Sequence, residues 1–161
     1  MTQWLLSVWV KAPYLRNADI LITSACLPQV NPSLFKKFSK NKVVLLACPE
    51  KEGAVHHGKI ATIIKCSKLK SITVITVEGS PHCFTLHACV NEALFLVGRE
   101  IPRKHYTVVN GEQVHEIKPE AIRVARYLHL VDKLVEKYPE ILKELNKYSL
   151  EYKESIKLGK T

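Results

Sequence analysis

The sequence contains no Cys-x-x-Cys pair, no Gly-x-Gly-x-x-Gly turn, no P-loop and no Gly-x-Ser-x-Gly elbow. The first absence excludes rubredoxin, zinc-ribbon, thioredoxin and bacterial ferredoxin motifs, which need closely spaced thiols. The second and third leave nucleotide binding without a motif. The fourth excludes the nucleophile of the α/β-hydrolases. No apolar run reaches the roughly 18 residues that a membrane span requires. The start, Met1-Thr2-Gln3-Trp4, has no basic n-region, and Lys11 follows too soon for a signal peptide. A cytoplasmic protein is expected.

Five cysteines in 161 residues are too few for a disulfide scaffold, and cytoplasmic disulfides are rare. The thiols are therefore expected to be buried, reactive or metal-bound. An apolar share of 47 % and a charged share of 24 % belong to an ordinary globular chain and exclude disorder. The length suggests one domain. Lys plus Arg exceed Asp plus Glu by 24 to 15, a net charge of +9. The basic residues are scattered along the chain, so the surplus reads as solubility. Nucleic acid is not an expected partner.

Three apolar runs organise the first two-thirds: Ile20 to Ala25, Val43 to Ala47 and Ile72 to Val77. They are apolar nearly throughout, which suits strands covered on both faces. Between and after them lie helical patterns. Asn31-Pro32-Ser33 opens a short helix with Asn31 as N-cap and Leu34, Phe35 and Phe38 on one face. A second spans residues 54–68 with Ile60, Ile63 and Ile64 at helical spacing, and a third runs from His82 to Val97. Alternating strands and helices predict a small, open, mostly parallel Rossmann-like sheet with helices on both faces. Trp4 to Val10 is a further candidate strand at one edge. Asn110-Gly111 marks a hairpin between residues 105–109 and 112–117, because a type I′ turn needs positive φ at both central residues.

Residues 1–118 thus form the sheet and its covering helices, and residues 119–150 a helical extension. The extension reads as one helix from Pro119 to about Lys137 and a second carrying Ile141, Leu142, Leu145 and Tyr148. Ile122, Leu128, Val131 and Val135 are expected to bury against the sheet or in a homodimer, because a long helix with one apolar face is unstable alone. Residues 151–161 read as a polar, fraying tail.

The cysteines carry the functional signal. Cys26 and Cys48 end two of the parallel strands, and Cys83 opens the helix after the third. In an open α/β sheet, ligands bind outside the carboxyl ends of the strands, so these three thiols are expected at one edge. His82 adjoins Cys83, and His87 lies four residues on, along the same helix. His56, His57 and Glu50 belong to the same edge. Thiols with imidazoles suit a soft metal. Cys66 and Cys89 are expected in the core, because Cys66 sits at the far end of its helix and Cys89 points about 240° round from Cys83.

Several segments carry a family resemblance. They are Lys11-Ala12-Pro13-Tyr14-Leu15, Ala18-Asp19-Ile20-Leu21-Ile22 with Cys26, Cys48-Pro49, and Ser71-Ile72-Thr73-Val74 leading to Glu78 and Cys83. Together they resemble the Rossmann-like second domain of archaeal and anaerobe iron–sulfur ferredoxin-like proteins, over about residues 3–110. The family's four-iron N-terminal module has no counterpart among these residues. Where the family has two adjacent cysteines after the third strand, this chain has His82-Cys83. Its lysine and acidic residues after Cys-Pro are rearranged here as Glu50-Lys51-Glu52, and residues 119–150 have no match.

The leading expectation is a metal- or cluster-binding accessory protein of anaerobic redox metabolism. Cys26, Cys48 and Cys83 would hold zinc or an iron–sulfur cluster, with His82 or His87 as fourth ligand. A ferredoxin or a redox-complex protein would be its partner. Two alternatives stand beside it: a thiol-dependent enzyme with Cys83 or Cys48 as nucleophile, and a cofactor-free scaffold that binds a partner through its basic face.

Overall fold

A computed structural model describes residues 1–53 and 56–159. The expected start of the second covering helix, at residue 54, lies outside the described residues. The first half of the chain runs β1 (Thr2–Trp4), β2 (Asp19–Ser24), α1 (Leu27–Val30), α2 (Pro32–Ser39), β3 (Val43–Ala47), α3 (Pro49–Glu52), α4 (His56–Ser67) and β4 (Ser71–Val77). Then come α5 (Cys83–Val97), β5 (Arg103–Val109), β6 (Gln113–Ile117), α6 (Pro119–Val124), α7 (Leu128–Lys137), α8 (Ile141–Tyr148) and α9 (Leu150–Lys157). The six strands form one sheet in the order β1-β3-β2-β4-β5-β6. All neighbours are parallel except the β5–β6 hairpin.

The α/β class and the parallel sheet are as the apolar runs predict. Ile22 pairs with Leu45 on one side and Val74 on the other. Successive residues of β2 serve opposite faces. Ile20 and Ile22 join the core formed with Ile60, Ile63 and Ile64 of α4 and Leu86 and Val90 of α5. Leu21 joins the core on the other face with Leu27, Val44, Ile75 and the α2 side chains Leu34, Phe35 and Phe38. Covering both faces is why no polar alternation appears. Each such fully buried aliphatic side chain contributes about 1.5–3 kcal/mol.

Two local signals also hold. Asn31 caps α2, its Oδ1 accepting from the Leu34 N–H at 2.9 Å. Asn110 and Gly111 both adopt positive φ, 50° and 77°. The Trp4–Val10 strand is shorter than expected: β1 ends at Trp4, whose carbonyl accepts the Ser7 and Val8 N–H groups and turns the chain. The Leu5 N–H still donates to the Leu46 carbonyl of β3 at 2.8 Å, and Leu5 and Val8 then bury their side chains in the core as the chain turns away.

The chain divides into two compact units, Met1–Pro119 and Glu120–Thr161. In the second, the single helix expected over 119–137 is two helices. Short i→i+3 bonds, Arg126 N–H to Arg123 and Tyr127 N–H to Val124, tighten the end of α6 before α7 begins. Ile122 is buried, but Leu128 is exposed at the first position of α7, and Val131 and Val135 are half-buried. The expected polar tail carries α9, capped by Ser149, whose hydroxyl accepts from the Tyr152 N–H at 3.1 Å. No helix among the described residues is long and apolar enough to cross a membrane.

Candidate functional site

The topology fixes where a crevice opens. From β2 the chain moves outward to β3, then crosses to the other side of β2 to form β4. That reversal makes the carboxyl ends of β2 and β4 the switch point, where neighbouring connections diverge and leave space. The two ends are tied together there, the Val77 N–H donating to the Ser24 hydroxyl at 3.2 Å.

Three cysteines stand around this point. Cys26 follows β2 at the start of α1 and is exposed; Cys48 follows β3 and caps α3; Cys83 is the first residue of the long helix α5. The Cys83 thiol is pushed above its ordinary pKa chiefly by burial, while a hydrogen bond with the Ser80 side chain pulls it down. Negative charge on Cys26, Cys48 and Glu50 pushes it further up. Two sulfurs and one carboxylate therefore lie within electrostatic reach of the Cys83 thiol. Among the described residues, however, no three His, Cys, Asp or Glu side chains are gathered closely enough to hold a metal ion.

A family model for a Rossmann-like domain matches residues 12–161. The chain belongs to this Rossmann-like family. No curated protein and no solved structure matches it. The order of β3, β2, β4 and β5, with helices on both faces, is the framework such a Rossmann-like domain needs. It places the thiols where the fold class puts its ligands.

The imidazoles of this Rossmann-like domain divide into outer and inner groups. His82 is exposed, its Nδ1 3.9 Å from Glu50 Oε2, so the start of α3 faces the start of α5. His87 points inward. One turn further along α5 it has passed over the sheet, and its Nε2 meets Thr76 Oγ1 at 2.9 Å and its Nδ1 meets His105 Nδ1 at 3.0 Å. Burial lowers its pKa to about 4. Both ring nitrogens are thus engaged inside the protein, leaving His82 as the imidazole beside Cys83 on the outside. His56 is also buried, its Nε2 3.1 Å from Glu52 Oε2. The same carboxylate oxygen accepts the Cys48 N–H at 2.9 Å and so fixes the backbone of the cysteine. His57 is exposed.

Glu52, Ser80 and Ser24 were not singled out by the sequence reading. The i,i+4 spacing of Glu52 and His56 was the available signal for one of them. Of the two cysteines expected in the core, Cys89 is half-buried and packs against it, but Cys66 is exposed. The buried stripe of α4 runs through His56, Ile60, Ile63, Ile64 and Ser67, and position 66 falls off it. Cys66 instead lines a groove of about 340 Å³ with Ala61, Thr62, Lys65, Leu96 and Val97.

Proposed function

We propose that this Rossmann-like domain binds a thiophilic metal ion or an iron–sulfur cluster at the switch point, with Cys26, Cys48 and Cys83 as thiolate ligands. His82 is the outer candidate for the fourth position. The observation that supports this reading is the electrostatic influence of Cys26 and Cys48 on Cys83, three thiols on three separate elements that would have to draw closer to share one ion. Thiolates so arranged repel one another, and burial compounds the cost of ionising Cys83. A cation bound among them reverses the sign of that interaction, so binding would release protons. The donor set, soft sulfur with imidazole, suits zinc or iron–sulfur chemistry. A three-thiol cluster has one position open to a non-cysteine ligand, because fully thiolate-ligated clusters take four cysteines.

On this reading the chain is an accessory protein of anaerobic redox metabolism. A ferredoxin or redox-complex protein would be its partner, and the cytoplasm its compartment. The exposed apolar side chains of α7 and α8, among them Leu134, Ile141 and Leu145, support a homodimer through the C-terminal helices.

The thiol-enzyme reading draws support from the place of Cys83 at a helix start. Its raised pKa weighs against it, since a nucleophilic cysteine needs the thiolate near neutral pH.

The test is anaerobic reconstitution with iron and sulfide, and separately with zinc, followed by metal analysis and optical spectra. The expected result is stoichiometric uptake that Cys26→Ala, Cys48→Ala and Cys83→Ala each abolish or halve. No uptake, with all three variants indistinguishable from the parent, would leave three thiols with no shared role and end the proposal.

A further inference from the structure

Basic residues that are scattered along the sequence are gathered by the fold. Parallel strands all begin at one edge of the sheet, and the residues just before them meet there. Arg16 precedes β2, Lys42 precedes β3, Lys68 and Lys70 precede β4, and Lys104 is the second residue of β5. Because β6 is antiparallel, Lys118 at its end joins the same edge. Of the Lys and Arg residues before residue 120, Lys51 in α3 and Lys59 near the start of α4 stand in the half that holds the carboxyl ends of the strands. The acids are not segregated in this way. Asp19, Glu100 and Glu116 share the basic edge, with Glu100 pairing with Arg103 and Glu116 with Lys104. Arg16, Lys68, Lys70 and Lys118 are exposed and enter no ion pair among the described residues.

Cations at helix carboxyl ends are ordinary partners of the helix dipole, which accounts for Lys65 in the last turn of α4. It also accounts for Lys42, whose Nζ donates to the Phe38 carbonyl in the last turn of α2 at 3.0 Å, but not for Arg16, Lys70, Lys104 or Lys118, which are outside helices. Their spacing has a different use. Strands β3, β2, β4, β5 and β6 stand side by side about 4.8 Å apart, so the row spans roughly 19 Å. At the same edge, the last turn of α5 carries Phe95 and Leu96, 78 % and 58 % exposed. Leu96 lines the groove that also holds Cys66. An exposed aromatic ring at the same edge as a cationic track is the combination that holds unpaired bases while neutralising their phosphates.

We infer that this amino-terminal edge binds single-stranded nucleic acid, without sequence preference, through Arg16, Lys68, Lys70 and Lys118 on the phosphates and Phe95 on a base. A duplex buries its base faces and offers Phe95 nothing to stack on. The site is independent of the thiols, since the seven residues of β4 separate the two edges by roughly 20 Å. Failure of either proposal leaves the other standing.

The test is fluorescence anisotropy of the full chain with a labelled single strand of about 20 nucleotides, over about 50–200 mM salt. Four engaged cations give a slope of log affinity against log salt of about −3. Lys68→Glu and Lys70→Glu should each weaken binding at least about fivefold and make the slope shallower by roughly 0.7. Phe95→Ala should weaken it at least about fivefold with the slope unchanged. Lys51→Glu makes the same change of net charge on the opposite half and should alter affinity less than about twofold. These are exposed positions, and unchanged melting curves would verify the fold of each variant. Three results would overturn the assignment. One is no binding at the lowest salt. A second is a duplex or poly-glutamate of equal length binding as tightly as the single strand, which would point to a general polyanion or acidic-protein surface. The third is Lys51→Glu proving as harmful as Lys68→Glu, which would reduce the effect to net charge.

Discussion

The Nδ1 atoms of His87 and His105 lie 3.0 Å apart inside the sheet–helix interface, a hydrogen bond that needs a proton on one ring and a lone pair on the other. Protonating both rings would place two N–H groups nose to nose in a buried space, so the contact admits at most one imidazolium.

Stability should fall with acid through this pair. The folded-state pKa of His87 is lowered by burial to about 4 from an ordinary 6.5. The unfolded chain binds the proton first, so the contribution is whole above pH 6.5 and is lost as the pH falls from 6.5 to about 4. The loss should be on the order of 3 kcal/mol. Urea unfolding across that range should show it, and His87→Gln should flatten the profile. A parent profile already flat between these limits would refute the account.

Asn31 should prove costlier to lose than an ordinary cap. Its Oδ1 holds the Leu34 N–H, and its Nδ2 donates to the Gly111 carbonyl at 2.9 Å, eighty residues away. Asn31→Ala should cost about 2 kcal/mol, roughly half for the cap and half for the long-range bond. Asn31→Asp keeps the cap and loses the donor, so its midpoint in chemical denaturation should fall between parent and alanine variant.

Gly111 should not tolerate a side chain. Its φ is +77°, and an added Cβ would sit 3.0 Å from Val30 Cγ1. Gly111→Ala should destabilise by about 1–2 kcal/mol from the left-handed backbone alone. Adding Val30→Ala should recover only the steric part, which thermal melting of the single and double variants can separate.

Cys83 should alkylate slowly for its exposure, and its neighbours should tune the rate in opposite directions. Glu50 raises its pKa and the Ser80 bond lowers it. Glu50→Gln should therefore speed modification by iodoacetamide at mildly alkaline pH, and Ser80→Ala should slow it. Peptide mapping against exposed Cys66 as internal reference would read both, and equal rates in parent and variants would contradict the assignment.

The sheet was legible because its evidence was redundant. Unbroken apolar runs in β2, β3 and β4, each followed by a helix, admit few arrangements. Asn31 and Asn110-Gly111 were legible because caps and tight turns depend on the local chain. His87 was not. Its four-residue spacing from Cys83 places both on one side of α5, but Cys83 stands at the sheet's rim and His87 over the sheet, a difference in depth that periodicity cannot express. The break at Ala125 to Tyr127 carries no Gly or Pro to announce it. The basic edge was invisible for a related reason: sequence distance separates Arg16 from Lys118, and only the shared starting line of the strands joins them.

The two outermost strands have a consequence for how copies of this chain meet. An open sheet invites another strand to add at its margin, the route by which extended chains polymerise. Here one margin is β1, three residues long, too short to template a neighbour. The other is β6, which turns Gln113, His115 and Glu116 to solvent and sets the Glu116 carboxylate beside Lys104. A charged, short-sided sheet resists growth by strand addition. Shortening Lys104 or neutralising Glu116 would leave the second margin less guarded against fibre formation.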